Sequence, residues 1–243
     1  MESCTSIYRN KEHGILLDMI KFLSTKHLTK PAVIGVTLLA LAGASTPAFS
    51  TSIKPTLAYT LSSYTLIASD PDEDKAISFI TNASAQGLGF LSSDSLTDAQ
   101  KKSEFRKFLK NNFDIRAIGR FALGRYWRTT TPAEKEEYQG LFEDMIVGVY
   151  SSRFSEYSGQ NIEILDAEKR GKSDIVVHSK ITGEGGPEIK LDWRVRQKNG
   201  RFRVIDIMVE GVSMAVTQRS DFASVIQRGG GDIDVLLAHL SNQ

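Results

Sequence analysis

Cysteine is almost absent from this chain: Cys4 is the only one among 243 residues. A lone cysteine forms no disulfide within the chain, and Cys4 lies in an N-terminal segment expected to be removed, so the remaining domain has neither staple nor thiol and packing alone must hold it. Histidine is nearly as scarce. His13, His27, His178 and His239 are scattered, and no cluster has metal-ligand spacing. Excess charge of one sign is missing too, with 30 basic residues against 29 acidic ones, so no overall positive potential drives nucleic-acid binding. Gly229-Gly230-Gly231 is not a phosphate loop, because it follows a helical pattern and lacks a Lys-Ser/Thr sequel. These absences remove disulfide scaffolds, thiol enzymes, zinc modules and nucleotide-cradling loops together.

What is present begins with a basic stretch, Lys26-His27-Leu28-Thr29-Lys30, followed by an apolar run from Ala32 to Ala44. The run falls short of the ~20 apolar residues that a membrane span needs, and small residues follow it, as in a secretory signal peptide. Cleavage is expected after Ala44 or Ala48. Glu2, Glu12 and Asp18 are odd company for a signal sequence, and Met19 makes a more natural start. The expected organisation is a signal peptide over 1–48, a flexible Ser/Thr/Ala-rich lead-in over 49–71, and one domain over 72–241. Export removes five basic and three acidic residues, leaving a mature chain with one excess negative charge. Without a cysteine or a basic excess, that domain depends on its apolar residues.

Their spacing predicts helices first. Ile77, Ile80, Ser84 and Leu88 recur at helical steps over about 75–91. Thr97 caps a second helix with Phe105, Phe108 and Leu109 on one face, and Asp114 caps a short third that ends near Gly124. Thr131-Pro132-Ala133-Glu134 combines an N-cap, a proline at the first helical position and a capping box. The helix it opens is predicted to run about 25 residues, with Tyr138, Leu141, Phe142, Met145, Ile146, Val149, Tyr150 and Phe154 on one stripe. After Gly159 the period changes to two. Strands are predicted over 161–168, 173–182, 188–197 and 201–209, the last two joined by the tight-turn pair Asn199-Gly200. Leu191, Trp193 and Val195 share one face of the third strand. Strict alternation in the fourth sets Ile205, Ile207 and Val209 against Val204, Asp206 and Met208. Helices near 217–228 and after Asp232 close the chain. Helices, then adjacent strands, then helices predict an α+β domain with a twisted antiparallel sheet of about four strands.

Catalytic candidates are few. His178 alternates with Val176 and Lys180 on an exposed strand face. Asp206, among apolar strand residues, fits a general base in a small pocket enzyme; the competing reading is a structural carboxylate satisfied by an Arg or a backbone N–H. Arg120, Arg125 and Arg128 flank Trp127, which suits an anionic headgroup or an ordinary basic surface. No nucleophile–base–orienter set assembles. The long-helix stripe and the inward sheet face compete for the interior, and periodicity does not separate a cavity from a core.

The segments Phe121-Ala122-Leu123-Gly124-Arg125-Tyr126-Trp127-Arg128, Tyr157-Ser158-Gly159 and Asp206-Ile207-Met208-Val209-Glu210-Gly211-Val212-Ser213 resemble one family. It is the periplasmic phospholipid-binding component of the Mla (maintenance of lipid asymmetry) pathway, also called the toluene-tolerance family, and the likeness covers roughly residues 72–241. The resemblance implies a non-enzymatic periplasmic carrier with helices and sheet around an apolar pocket and no cofactor besides its phospholipid cargo. It also implies exchange with an inner-membrane ABC transporter complex and an outer-membrane lipoprotein–porin complex. A hopanoid carrier of the same fold is the nearest alternative, and the Asp206 enzyme and a closed interaction module are the others. Under this resemblance Phe142, Ile146, Val149 and Tyr150 on the helix, with Trp193, Val195, Ile205, Ile207 and Val209 on the sheet, are the expected lipid contacts. Glu210 and Val212 form the expected docking rim.

Overall fold

The structure, a computed structural model, describes residues 70–183 and 186–242. The signal peptide, both cleavage points, Met19 and nearly all of the lead-in lie outside the described residues.

Among the described residues six α-helices and five strands follow one another: α1 Pro71–Leu91, α2 Asp98–Asn112, α3 Ile115–Leu123, α4 Pro132–Ser151, β1 Asn161–Arg170, β2 Asp174–Thr182, β3 Ile189–Lys198, β4 Arg201–Val209, β5 Val212–Ser213, α5 Met214–Arg228 and α6 Asp234–Ser241. Short 3₁₀ turns follow α3 at Gly124–Arg128 and α4 at Phe154–Glu156. None of the described helices is long and apolar enough to cross a membrane.

The helices begin where side chains can satisfy free N–H groups. Thr97 and Thr131 each build a reciprocal capping box, with Gln100 and Glu134. α1 starts earlier than the periodicity predicts, because Asp70 accepts from the Asp72 N–H, Pro71 occupies the first position, and Asp72, Glu73 and Asp74 complement the helix dipole. The acidic run therefore belongs to the domain and not to the lead-in. α4 is shorter than expected, with 20 residues, and Phe154 lies in the 3₁₀ turn beyond it.

The sheet is antiparallel in the order β1-β2-β3-β4-β5 and remains open. Its fifth strand is two residues long and was not anticipated; Glu210 and Gly211, at φ 50° and 79°, turn β4 directly into it. Asn199 and Gly200 also take positive φ, as their tight turn requires. α1 lies across β1 and β2, while α2, α3 and α5 touch β4. α4 packs chiefly on α2, α3 and α6, in the helical layer.

Apolar residues form two clusters and not one. The helical cluster centres on Leu123, Tyr138, Phe142, Val147, Phe222, Ile226 and Leu236. The sheet cluster holds Ala76 and Ile80 of α1 against Val177, Leu191, Trp193, Val195 and Val204. Phe113 borders both.

Candidate functional site

The apolar face of the sheet is fixed by strand register. Val177 pairs with Trp193, and Trp193 with Ile207; Leu191 pairs with Val209. Ile162 and Ile164 continue the row on β1 opposite Ile181 and Ser179. The buried Trp193 indole donates to Ser179 Oγ at 3.0 Å, and that hydroxyl donates to the Leu191 carbonyl at 2.5 Å. The polar atoms on this face are therefore consumed internally, leaving an apolar surface. Ile162, Ile164, Ile181, Ile207 and Val209 remain half-buried at its margin.

The helical side carries a band of aromatic rings that reaches the sheet cluster through Phe113. Phe154 meets Phe105 with ring centroids 5.3 Å apart, Phe90 lies 6.0 Å from Phe108, and Phe108 lies 5.8 Å from Phe113. Tyr150 joins at Phe105, 6.3 Å away. Tyr150 keeps 37% of its surface accessible, yet burial pushes its hydroxyl ionisation up.

The expected contact residues divide accordingly. Trp193, Val195, Ile207 and Val209 come together on the sheet face. Ile146, Val149 and Tyr150 lie half-buried or exposed along the later turns of α4. Phe142 does not join them: it is 1% exposed, stacked on Tyr138 at 5.8 Å and edge-on to Phe222 at 6.1 Å. It is packed core. Ile205 also departs from expectation. Arg194 pairs with Asp206 but Val195 with Val204, so Ile205 has no partner across β3 and forms a bulge. The bulge turns it to the opposite face, where it borders a groove with Arg196, Arg201 and Arg203. Strict alternation failed there because one extra residue reverses the pattern.

That groove, about 750 Å³, is charged; its lining includes Lys110, Arg116, Glu136 and Glu143. It takes in none of the apolar contact residues except Ile205. A second groove, about 420 Å³, lies between the start of α2 and the end of α4.

Sequence reasoning missed Phe90 and Phe113 in the aromatic band and the contributions of α1 and β1 to the sheet face. Ile162 and Ile164 alternate with Glu163, and Ile77 and Ile80 are one turn apart, so both signals were present.

The candidate catalytic groups are engaged structurally. Asp206 Oδ2 accepts from the Ser213 hydroxyl at 2.5 Å and Oδ1 from the Ala215 N–H at 3.0 Å. It thus reinforces the N-terminus of α5, where Ser213 is the cap. His178 Nδ1 lies 2.8 Å from Asp192 Oδ1, with Glu168 3.5 Å from Nε2. These groups sit on the charged face of the sheet, away from the apolar row. No group of metal-ligating side chains is assembled among the described residues. Glu210 works inward: its Oε1 accepts the Lys190 N–H at 2.6 Å, while Val212 beside it is 45% exposed.

The family model for MlaC protein matches residues 82–242. The chain belongs to the MlaC family. Within that assignment, a toluene tolerance protein Ttg2D from Pseudomonas putida is 26% identical over 110 residues, 45% of this chain and 51% of its own length. The intermembrane phospholipid transport system binding protein MlaC of Haemophilus influenzae is 23% identical over 149 residues, 58% of this chain and 69% of that one. The match thus spans about half the length of the first relative and about two thirds of the second. A solved phospholipid-binding protein from Ralstonia solanacearum, in complex with a phospholipid, shares the fold with a TM-score of 0.61 and 22% identity. That likeness covers 69% of this chain and 95% of the Ralstonia chain.

Proposed function

We propose that this MlaC-family protein is a periplasmic phospholipid carrier that covers acyl chains between its sheet face and the aromatic band. Its partners are then an inner-membrane ABC transporter complex and an outer-membrane lipoprotein–porin complex. The observation that carries the reading is the division of the interior into two apolar clusters. In the helical cluster buried residues outnumber half-buried ones, whereas in the sheet cluster half-buried residues, Ile162, Ile164, Ile181, Ile207 and Val209 among them, outnumber the buried.

Physical chemistry gives such a surface its use. At about 0.8 kcal/mol per CH₂, some 30 methylenes cost more than about 20 kcal/mol to expose to water. A lipid crosses an aqueous compartment only when something covers those chains. The hydrated headgroup needs no such cover, so weak headgroup selectivity follows. Ile146, Val149, Tyr150, Ile207 and Val209 are the contacts assigned to the chains, with the buried Trp193 and Val195 as the floor beneath them. Because Glu210 holds β3, docking at the β4–β5 corner falls to the exposed Val212. With both Asp206 oxygens accepting structural hydrogen bonds, non-enzymatic binding is favoured over a pocket enzyme.

Solvent extraction of the purified protein followed by lipid mass spectrometry tests this. About one phospholipid per molecule is expected. Protein without lipid, still unable to take up phospholipid from vesicles, overturns the reading; stoichiometric hopanoid in its place moves the cargo to that class.

A further inference from the structure

We propose that the surface built by α3, the 3₁₀ turn after it, the start of α4 and the start of α5 is a docking face for an anionic lipid bilayer. Four cations there lie on aromatic rings. Arg120 and Lys135 share the Trp127 ring, with Cζ and Nζ 5.8 and 5.3 Å from its centroid. Arg125 lies 4.9 Å over Tyr126 and donates to its hydroxyl at 2.9 Å. Arg219 of α5 lies 5.2 Å over Phe121, which ties the two helices into one surface. Gly124 makes that approach possible: at φ 59° it ends α3, and a Cβ there would stand 2.8 Å from Arg219 Nε. Arg128 is the fifth cation of the segment. None of these five takes part in an ion pair of the described residues, a property shared by Lys198, Arg201 and Arg203 at the charged groove; what sets the five apart is that four of them lie on aromatic rings beside exposed apolar side chains.

The apolar part of the surface selects the partner. Phe121 is 42% exposed, and Val216, one turn before Arg219, is 56% exposed. A bilayer interface offers phosphates with hydrocarbon a few ångströms beneath them, so it meets stacked guanidinium groups and exposed apolar side chains together. Arginine on an aromatic face is weakly hydrated, and Trp and Tyr favour the boundary between headgroups and chains. An acidic protein would match the cations but leave Phe121 and Val216 facing water.

The face is separate from the cargo contacts, so it is tested without altering them. Flotation of the full chain is compared between vesicles of phosphatidylcholine and vesicles doped with phosphatidylglycerol. The protein is expected to float only with the doped vesicles, less so as salt rises from about 0.01 to 0.15 M and the Debye length shrinks from about 30 to 8 Å. The quenching of tryptophan emission by brominated lipid that reports this face is the part Trp127→Phe removes, because Trp193, the other tryptophan, lies on the cargo side. Arg120→Glu/Arg125→Glu/Lys135→Glu should lower partitioning by about fivefold or more for each cation removed. Lys172→Glu, in the β1–β2 turn, should leave it unchanged. Phe121→Ser/Val216→Ser should abolish the quenching. Bound lipid per molecule should stay the same throughout, which separates failure here from failure of the carrier reading. Should the triple variant not fold, Arg125→Glu alone and the salt titration of the unaltered protein decide. Equal flotation with both vesicle types, equal loss in Lys172→Glu, or binding to an acidic protein complex without binding to either vesicle overturns the proposal.

Discussion

The helical cluster and the sheet cluster contain similar side chains and pack them differently. Around Tyr138 the rings of Phe142 and Phe222 close on each other, and the Tyr138 hydroxyl donates to the Gly119 carbonyl at 2.9 Å. Burial pushes that hydroxyl's ionisation far up, as expected where no water reaches. On the sheet, Val177 and Val195 are as deeply buried, but the row running out through Ile207 and Val209 stays half-open. Apolar area that is closed stabilises the fold, while area left open is available to a ligand. Under the proposed carrier function, the contrast gives structural packing to one cluster and binding to the other.

The largest effect should come from emptying the closed cluster. Phe142→Ala is expected to cost about 3–5 kcal/mol, because the rings around it leave little room to relax. Ile207→Ala, already half-exposed, should cost no more than about half of that. Denaturant unfolding of the two variants measures the difference. Equal losses would erase the distinction between the clusters.

Enlarging side chains sharpens it from the other side. Ile207→Trp and Val209→Trp should keep a near-native melting temperature while lowering bound lipid severalfold. Ala122→Trp in the closed cluster should be destabilised by about 1–3 kcal/mol or more by overpacking. Retained lipid in several well-folded sheet variants would show that the chains lie elsewhere.

The charged face of the sheet gives a smaller, pH-dependent effect. Arg196 donates to both oxygens of Asp174, at 2.7 and 2.9 Å, and holds its carboxyl below the usual carboxylate range. A folded pKa depressed in this way adds stability that is complete above the unfolded value near ~3.9 and is lost as pH falls through the folded one. Because Arg196 is largely exposed, the contribution is at most about 1 kcal/mol. Asp174→Asn should therefore be slightly less stable than the parent at neutral pH, and the gap should close below about pH 4. Thermal melts across that range read it directly; a gap that persists at low pH would mean the effect is not ionic.

The elements themselves were legible because their signals are local. Capping boxes at Thr97 and Thr131 and the Asn199-Gly200 turn act within four residues, and the structure keeps all three. Asp70-Pro71 was an equally local signal whose acidic sequel disguised it as linker. What local pattern does not encode is which layer an apolar stripe faces. The α4 stripe and the sheet face were read as competing for one interior, but the early turns of α4 pack in the helical cluster, and α1 covers β1 and β2. Ile205 went to the wrong face because a bulge depends on the partner strand. Asp206 was readable only as an alternative, since Ser213 and Ala215 come to it through the tight β4–β5 turn.

The smallest expected effect bears on how the half-open cluster closes and opens. Gly148 lies inside α4, and an isolated helix glycine ordinarily marks close packing. In the structure a Cβ at Gly148 would meet nothing within 4 Å, because that side borders the groove with Asp98, Lys102 and Ser152. Close packing is therefore not its reason. The intrinsic cost remains, about 0.8–1.0 kcal/mol against alanine in a helix interior. It falls beside Val149 and Tyr150, where α4 leaves the closed cluster and meets the aromatic band. Gly148→Ala should accordingly stabilise the protein by about 0.5–1 kcal/mol. A bound lipid with both chains covered leaves only if its cover deforms, and a stiffer α4 should slow transfer to acceptor vesicles without changing lipid content at equilibrium. Unfolding curves and transfer kinetics on the same variant separate the two effects. Greater stability with an unchanged transfer rate would place the opening motion outside α4, leaving α1, which lies directly on the sheet, as the element that moves.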